Sequence, residues 1–353
     1  MDYRELLSKD SFWMQEQSDI PIVLSTRIRL ARNLADCPFP QAMGTEMAEK
    51  IEKRIANVLK DLDVDGQKVI YIPLNELTVT DKKVLIEKHL ISPNFAESNQ
   101  ARGLALANNH KVSVMVNEED HLRIQVLMPG NKLEEALSLA GDIDDYLESK
   151  LDIAYKEKFG YLTSCPTNVG TGLRVSVMTH LPALVLTNQI QRVLGAFGSL
   201  GLVARGLYGE GSKAFGNIFQ ISNQVTLGKS EDDTLSHLQA VTSQLAEREL
   251  HAREMLRQEV LLNTEDRVWR ARGILQNARL LTSEETFSLL SDDRLGIDMD
   301  ILPRVDAGFI SLLVNSLQGC LQLKTNKLLD GNLVNLERAN LLRQFYQDKT
   351  SPC

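Results

Sequence analysis

The stretch YLTSCPTNVGTGLRVSVM, residues 161–178, sets a thiol and a guanidinium on either side of a glycine-rich turn. A loop that only joined two elements would need neither. Free cysteine is most often a small buried side chain, yet Cys165 sits among polar, turn-forming residues. Nearby arginines would favour its thiolate, which could contact a cationic substrate. Arg174 leads the strand that follows. Arg27 and Arg29, in STRIRLARN, alternate onto one face if that stretch is extended. Arg123 lies in a strand after the turn NEED, and Arg205 ends another strand. Any one of them alone reads as a solvated or ion-paired surface residue. Five guanidiniums gathered in one cleft would call for a polyanion, and the arginine fork matches the phosphate oxygens of a nucleoside triphosphate.

The carboxylates suggest the other reactant. NEEDH places Glu118, Glu119 and Asp120 in a tight turn, whose plain reading is a solvated hairpin tip. Glu210, between glycines in GEG, reads plainly as surface. The chemical reading uses both sites. A guanidinium substrate stays cationic at neutral pH, so carboxylates must hold it and a base must take its proton as a phosphoryl group arrives. No Walker A pattern and no G-x-G-x-x-G occurs, so arginine side chains would do what a P-loop does with backbone amides. No carboxylate cage is evident. Magnesium would be held mainly by the ATP phosphates, and no protein metal site is expected.

These residues must be positioned by a chain of 353 residues, which predicts two domains. The composition is that of a soluble globular protein, with 43% hydrophobic and 24% charged residues. A formal charge of −8 and only 5% aromatics argue against direct nucleic-acid binding. No apolar run is long enough to span a membrane, and the polar, acidic N-terminus does not read as a signal peptide. Cys37, Cys165, Cys320 and Cys353 lie far apart, without zinc-type spacing, which predicts a reducing cytoplasm and free thiols.

Helical spacing predicts helices over 45–62, with Thr45 as cap, and over 182–198, starting at Pro182. KVSVMV and HLRIQVLM read as strands joined by NEED, and LVARGLY and NIFQISNQVTL as two more around GEGSKAFG. Short strands with helices between them predict an α+β domain with a largely antiparallel sheet. From Ser230, which with Asp233 resembles a helix start, the chain reads as helical to about residue 258. Further helices are expected over 265–281, 283–292, 306–322 and 334–347, with no strand after 230. The expected boundary lies near residue 255, giving a catalytic domain 1–254 (core about 20–250) and a helical C-terminal domain 255–353 for substrate or partner binding or dimerisation.

STRIRLARN, VMVNEEDHLRI, YLTSCPTNVGTGLRVSVM and RGLYGEGS resemble the signature blocks of the phosphagen (guanidino) kinase family, and the CPTN-x-GTG-x-R block is highly specific. The resemblance spans roughly residues 20 to 250. It implies a glutamine-synthetase-like catalytic domain and phosphorylation of a guanidinium nitrogen by ATP with Mg2+. Carried over by motif, Ser25, Thr26, Arg27, Ile28 and Arg29 resemble nucleotide contacts, as do Arg123, Arg174, Val175, Ser176, Val177, Met178, Arg205, Gly206, Leu207, Tyr208, Gly209 and Glu210. His89, in EKHLISP, resembles a nucleotide-contacting histidine. Glu119 resembles the catalytic carboxylate that holds the guanidinium, with Glu118 beside it. Cys165 resembles the reactive cysteine, and Glu210 the second substrate carboxylate on a closing loop.

Metabolite kinases of this family carry a helical domain before the S-x-R-x-R block, whereas here that block starts at Ser25 and the extra helical region follows the catalytic one. This arrangement, with HLISP, VTLGKSE and EDRVWRARGILQNARLL, resembles the bacterial protein arginine kinases. That branch implies protein substrates with exposed arginines, a small activator protein, a Clp-type chaperone or protease, a stress-response role in marking proteins for degradation, and a homodimer or higher homo-oligomer. Its R-D-x-x-R-A motif resembles an allosteric phosphoarginine pocket. Here the aligned stretch is VNLERA, where Val334 and Asn335 replace the first Arg and Asp while Arg338 and Ala339 remain. Two alternatives stand beside this reading: a kinase of free arginine or another small guanidine, and a catalytically silent adaptor for arginine-rich proteins.

Overall fold

The structure, a computed structural model, describes residues 3–15, 18, 20–98, 100–206, 215–305 and 308–347. Its strands are β1 (Val23–Arg32), β2 (Asp63–Val64), β3 (Gln67–Lys68), β4 (Ile70–Pro73), β5 (Gly103–Leu106), β6 (Val112–Val116), β7 (Leu122–Pro129), β8 (Tyr155–Lys156), β9 (Gly160–Tyr161), β10 (Leu173–His180), β11 (Leu202–Gly206) and β12 (Ile218–Asn223). Eight of them form one sheet in the order β11-β12-β10-β1-β7-β6-β5-β4. β1 pairs antiparallel with β7, and β7, β6, β5 and β4 continue as antiparallel neighbours. The α+β class and the antiparallel sheet are as the sequence predicts.

The helices are α1 (Tyr3–Ser8), α2 (Thr45–Leu59), α3 (Val79–Glu87), α4 (Pro93–Ala96), α5 (Leu133–Glu148), α6 (Pro182–Leu186), α7 (Ile190–Gly195), α8 (Glu231–Glu259), α9 (Leu261–Asn277), α10 (Ser283–Asp298), α11 (Phe309–Asn315), α12 (Gln318–Thr325) and α13 (Gly331–Gln347). Among the described residues no strand follows β12. The chain divides into two compact units interleaved in sequence: Met1–Trp13, Ser25–Val177 and Ser222–Ala240 form one, and Met14–Leu24, Met178–Ile221 and Val241–Cys353 the other.

Two helices expected as single rods are broken. The segment 182–198 splits into α6 and α7 because Asn188 adopts a left-handed conformation (φ 58°), which asparagine tolerates. The segment 306–322 splits into α11 and α12 at Leu317, which is extended. The start at Ser230 is as expected: the Asp233 amide donates to Ser230 Oγ at 3.0 Å.

In the first unit the core lies between the sheet and its helices. Ile28 and Leu30 of β1 and Ile124 and Val126 of β7 are buried, as is the inner face of α5 (Ala136, Ala140, Ile143, Leu147). One charged pair is buried with them. Arg32 Nη2 meets Asp144 Oδ2 at 2.5 Å and Arg32 Nε bonds both carboxylate oxygens at 3.0 Å. The guanidinium also donates to Ala31 O and Thr171 O and stacks 3.4 Å from the Tyr161 ring centre. Gly172 (φ +64°) is required beside it, since a Cβ would stand 2.5 Å from Arg32 Nη1 and 2.7 Å from Ala31 O. Asp144→Ala strands this guanidinium in a dry site and is expected to cost about 3–5 kcal/mol, read from denaturant unfolding. A loss under about 1 kcal/mol would mark the pair as a solvated surface bridge.

In the second unit, α10 packs on α9, α6 and α11, and α13 on α9. α6 begins without a side-chain cap of its own. The fully buried Glu249 supplies one, accepting the Ala183 and Leu184 amides at 3.0 and 2.9 Å while pairing with Arg253.

Candidate active site

The β1–β7 register builds the site. Residues two apart on a strand share a face, and directly opposed residues do too. Arg27 and Arg29 therefore share a face of β1, and Arg123, opposite Ala31, falls on the same face. Ile28 and Leu30 point into the core on the other side. Arg174, the second residue of β10, completes a cationic group. Arg29, Arg123 and Arg174 line one cavity with Glu119, Cys165, Thr167, Asn168 and Gly172.

The arginines repel one another. Burial, then Arg174 and Arg123, lowers the Arg27 pKa to about 10. Burial, then Arg27, Arg123 and Arg174, pushes Arg29 well below the ordinary guanidinium value, and only Glu118 opposes this. The buried Nε of Arg29 has no hydrogen-bond partner. Such a cluster is costly unless an anion completes it, and phosphate oxygens fit that need.

The turn Asn117–Asp120 supplies the carboxylates. Glu118 is buried and grips Arg123 through two contacts, Nη1 to Oε1 at 2.8 Å and Nη2 to Oε2 at 2.7 Å. It also accepts from Ser92 Oγ at 2.5 Å. Glu119 is more exposed and reaches only Arg123 Nη2, at 3.0 Å. Glu119 lines the cavity and Glu118 does not. The two residues thus have distinct positions: Glu118 anchors an arginine, while Glu119 faces the open space. The plain reading of NEED as a solvated tip does not hold.

Burial, opposed chiefly by Arg123 and reinforced by Asp120 and Glu118, raises the Glu119 pKa. A base with a raised pKa is protonated, and idle, over a wider acidic range. Activity is therefore expected to fall on acidification at a pH above the ordinary carboxylate value, as a kcat profile would show. His89 adds no limb near neutrality. Burial, then Arg27, lowers its pKa to about 3, so its ring stays neutral. Its ring meets Trp13 edge-on at 5.4 Å, and its carbonyl accepts from Gln125 Nε2 at 2.9 Å.

The cysteine turn is held from behind. Thr226 Oγ1 lies 2.9 Å from Thr167 O and 2.7 Å from Val169 O. Gly170 (φ +114°) allows that approach, since a Cβ there would stand 2.8 Å from Thr226 O. The two glycines of GTG thus permit close backbone packing beside Cys165, which lines the same cavity as Arg29, Arg123 and Arg174. Cys165 Sγ lies 3.0 Å from Thr167 Oγ1. Burial and Asp36 raise the Cys37 pKa, and Cys320 is buried. Cys353 lies outside the described residues. A thiol reagent is therefore expected to inactivate through Cys165, with ATP and acceptor together protecting, and Cys165→Ser should lose turnover more than stability. Inactivation that persists unchanged in Cys165→Ser would reassign the reactive thiol.

Thr26 is buried, donating to Gly130 O at 2.8 Å and accepting from the Lys132 amide at 3.1 Å. Ser25, Ile28, Val175, Ser176 and Val177 are buried in β1 and β10. Met178, Arg205 and Gly206 belong to the second compact unit. Leu207, Tyr208, Gly209 and Glu210 lie outside the described residues. Val334 packs with Leu321 and Leu329 in an apolar cluster, and Ala339 is buried. Arg338 is buried and donates to Ser316 O, Leu281 O and Asn335 Oδ1 at 2.7–2.8 Å. In this chain those residues tie helices together. Ser92 and the Asn33–Asp120–Ser164 set carry no local sequence signal, because their importance comes only from pairings 26 to 87 positions apart.

Residues 50–252 match the family model of the ATP:guanido phosphotransferase C-terminal catalytic domain. Residues 258–352 match that of the protein-arginine kinase McsB C-terminal domain. The protein-arginine kinase of Bacillus subtilis (strain 168) is 49% identical over 337 residues, covering 95% of this chain and 93% of that relative. The chain belongs to the protein-arginine kinase family. The family's Halothermothrix orenii member is 47% identical over 347 residues, 97% of this chain and 99% of its own. Among solved structures, lombricine kinase is similar with a TM-score of 0.59 and 26% identity, over 69% of this chain and 70% of that one. The family thus combines a guanidino-kinase catalytic region with a helical C-terminal one, as the sequence blocks imply.

Proposed function

We propose that the protein transfers the γ-phosphoryl group of ATP to the guanidinium of arginine side chains in proteins. The observation that carries the chemistry is the meeting of Arg29, Arg123 and Arg174 with Glu119 and Cys165 around one cavity. Likeness to protein-arginine kinases over nearly their whole length, C-terminal domain included, supports a protein acceptor over a free guanidine. The intact catalytic set supports turnover over silent binding.

The arginines hold the triphosphate and offset charge on the transferring group. Magnesium would enter on the phosphates and add charge neutralisation. Among the described residues no group of three or more His, Cys, Asp or Glu side chains could hold a metal ion. A guanidinium nitrogen of the acceptor attacks the γ-phosphorus in line, the P–N bond forms, the bond to the ADP oxygen breaks, and the nitrogen's proton passes to Glu119. Cys165 contacts the guanidinium from the facing turn, and Glu210 serves as a second carboxylate. Most of the rate then comes from positioning and electrostatics. Phosphorylation turns a cation into an anion, so an acceptor loses contacts to nucleic acid or acidic partners.

The wider reading is part of the same proposal: a cytoplasmic homo-oligomer with a domain boundary near residue 255, acting with a small activator and a Clp-type chaperone or protease to mark proteins under stress. Parallel incubations with ATP and either free arginine or a basic protein test the acceptor. Acid-labile phosphate should accumulate on the protein and not on the free amino acid. Turnover of free arginine with none on protein would overturn the acceptor assignment, and no transfer to either would favour the silent adaptor.

A further inference from the structure

Asp120 is the one acidic residue of the NEED turn that touches neither Arg123 nor the cavity. Its side chain is fully buried, and one oxygen, Oδ1, takes two donors: Asn33 Nδ2 at 2.6 Å and the Ser164 amide at 2.7 Å. The other oxygen, Oδ2, is buried without a partner. Asn33 follows the last residue of β1. Its Oδ1 accepts the His121 amide at 2.9 Å, and its Nδ2 also donates to Leu162 O at 3.1 Å. Leu34 N donates to His121 Nδ1 at 3.0 Å. One carboxylate oxygen thus stands where three pieces of chain meet: the end of β1, the turn carrying Glu119, and the turn carrying Cys165. Ser164 immediately precedes Cys165, and Asp120 immediately follows Glu119.

We propose that Asp120 is a positioning residue for phosphoryl transfer, fixing the Glu119 turn against the Cys165 turn so that carboxylate and thiol meet the same guanidinium. This rests on the reaction proposed above. Geometry alone would be served by any acceptor oxygen, including an amide. The charge has a second effect. Glu119 faces Arg123 on β7, Glu118 and Asp120 on its own turn, and shares its cavity with Arg29 on β1, Arg174 on β10 and Cys165. Arg123 makes Glu119 a weaker base. Asp120 and Glu118 oppose it, and Asp120 is the one of the two that no arginine pairs with among the hydrogen bonds and ion pairs described.

The two roles separate by substitution. Asp120→Asn keeps the acceptor oxygen and removes the charge, whereas Asp120→Ala removes both. For Asp120→Ala, kcat should fall about 10²-fold, the scale of a misplaced catalytic group, with little change in KM for ATP because the arginines are untouched. The rate at which a thiol reagent labels Cys165 should change several-fold. For Asp120→Asn, Cys165 labelling should match the wild type, and the acidic limb of the kcat profile should move to lower pH. If Asp120→Ala does not fold, Asp120→Asn decides. A folded Asp120→Asn with an unmoved acidic limb, or a folded Asp120→Ala with wild-type kcat and labelling, overturns the inference. A wild type that transfers nothing to protein arginine overturns the functional reading instead, while the labelling rates still judge the positioning.

Discussion

Glu119→Gln should leave ATP binding intact and nearly abolish phosphoarginine formation. Glutamine keeps the size and one acceptor oxygen, but it loses the charge that holds a guanidinium and the basicity that accepts its proton. A hydrogen bond to a charged group is worth about 1.5–3 kcal/mol, and a general base contributes about 10²–10⁴-fold, so the two losses together leave a nearly dead enzyme. ATP affinity should persist because Glu119 makes only one contact to Arg123, whose stronger hold is on Glu118. Glu118→Gln should behave differently. It loosens Arg123 and the Ser92 contact, so its main effect should be a raised KM for ATP. The check is phosphoarginine formation measured beside ATP affinity in both variants. If Glu118→Gln is the dead one and Glu119→Gln stays active, the two roles are exchanged.

Arg29→Ala and Arg174→Ala should each cut transfer by about 10³–10⁵-fold, the scale of a transition-state arginine in phosphoryl transfer. Their effect on stability should run the other way. A base whose pKa is lowered in the fold destabilises that fold while charged; Arg27 is lowered by burial, Arg174 and Arg123, and Arg29 by burial, Arg27, Arg123 and Arg174. Removing one guanidinium relieves that repulsion, so the ATP-free variants should unfold no earlier than wild type. Saturating ATP should raise the wild-type Tm and shift the variants much less, since a ligand stabilises in proportion to its affinity. Normal ATP stabilisation with only a few-fold loss of rate would make these arginines ordinary surface charges.

The parts of the site legible in sequence were those written in residue type. Arg27 and Arg29 share a face because of strand period alone, and β1 is extended as the spacing requires. The GTG glycines announce a tight backbone, and the structure supplies the neighbours, Ala31 O and Thr226 O, that require them. What stayed hidden depends on partners distant in sequence. Nothing local to NEED says that Glu118 turns inward to Ser92 and Arg123 while Glu119 turns out, or that Asp120 reaches Ser164. Helix breaks were hidden for a different reason. Asn188 and Leu317 interrupt apolar patterns that continue in phase on both sides, so periodicity alone reads through them. The two interleaved compact units are equally invisible to a scan along the chain, because each gathers segments from three places.

The measurement closest to the central claim is mass spectrometry of a basic acceptor protein incubated with ATP and the full chain, under conditions that preserve acid-labile phosphate. Wild type should place phosphate on arginine side chains, and Glu119→Gln, folded and still binding ATP, should place none. Phosphate found only on serine, threonine or tyrosine, or equal arginine phosphorylation by Glu119→Gln, would contradict the account.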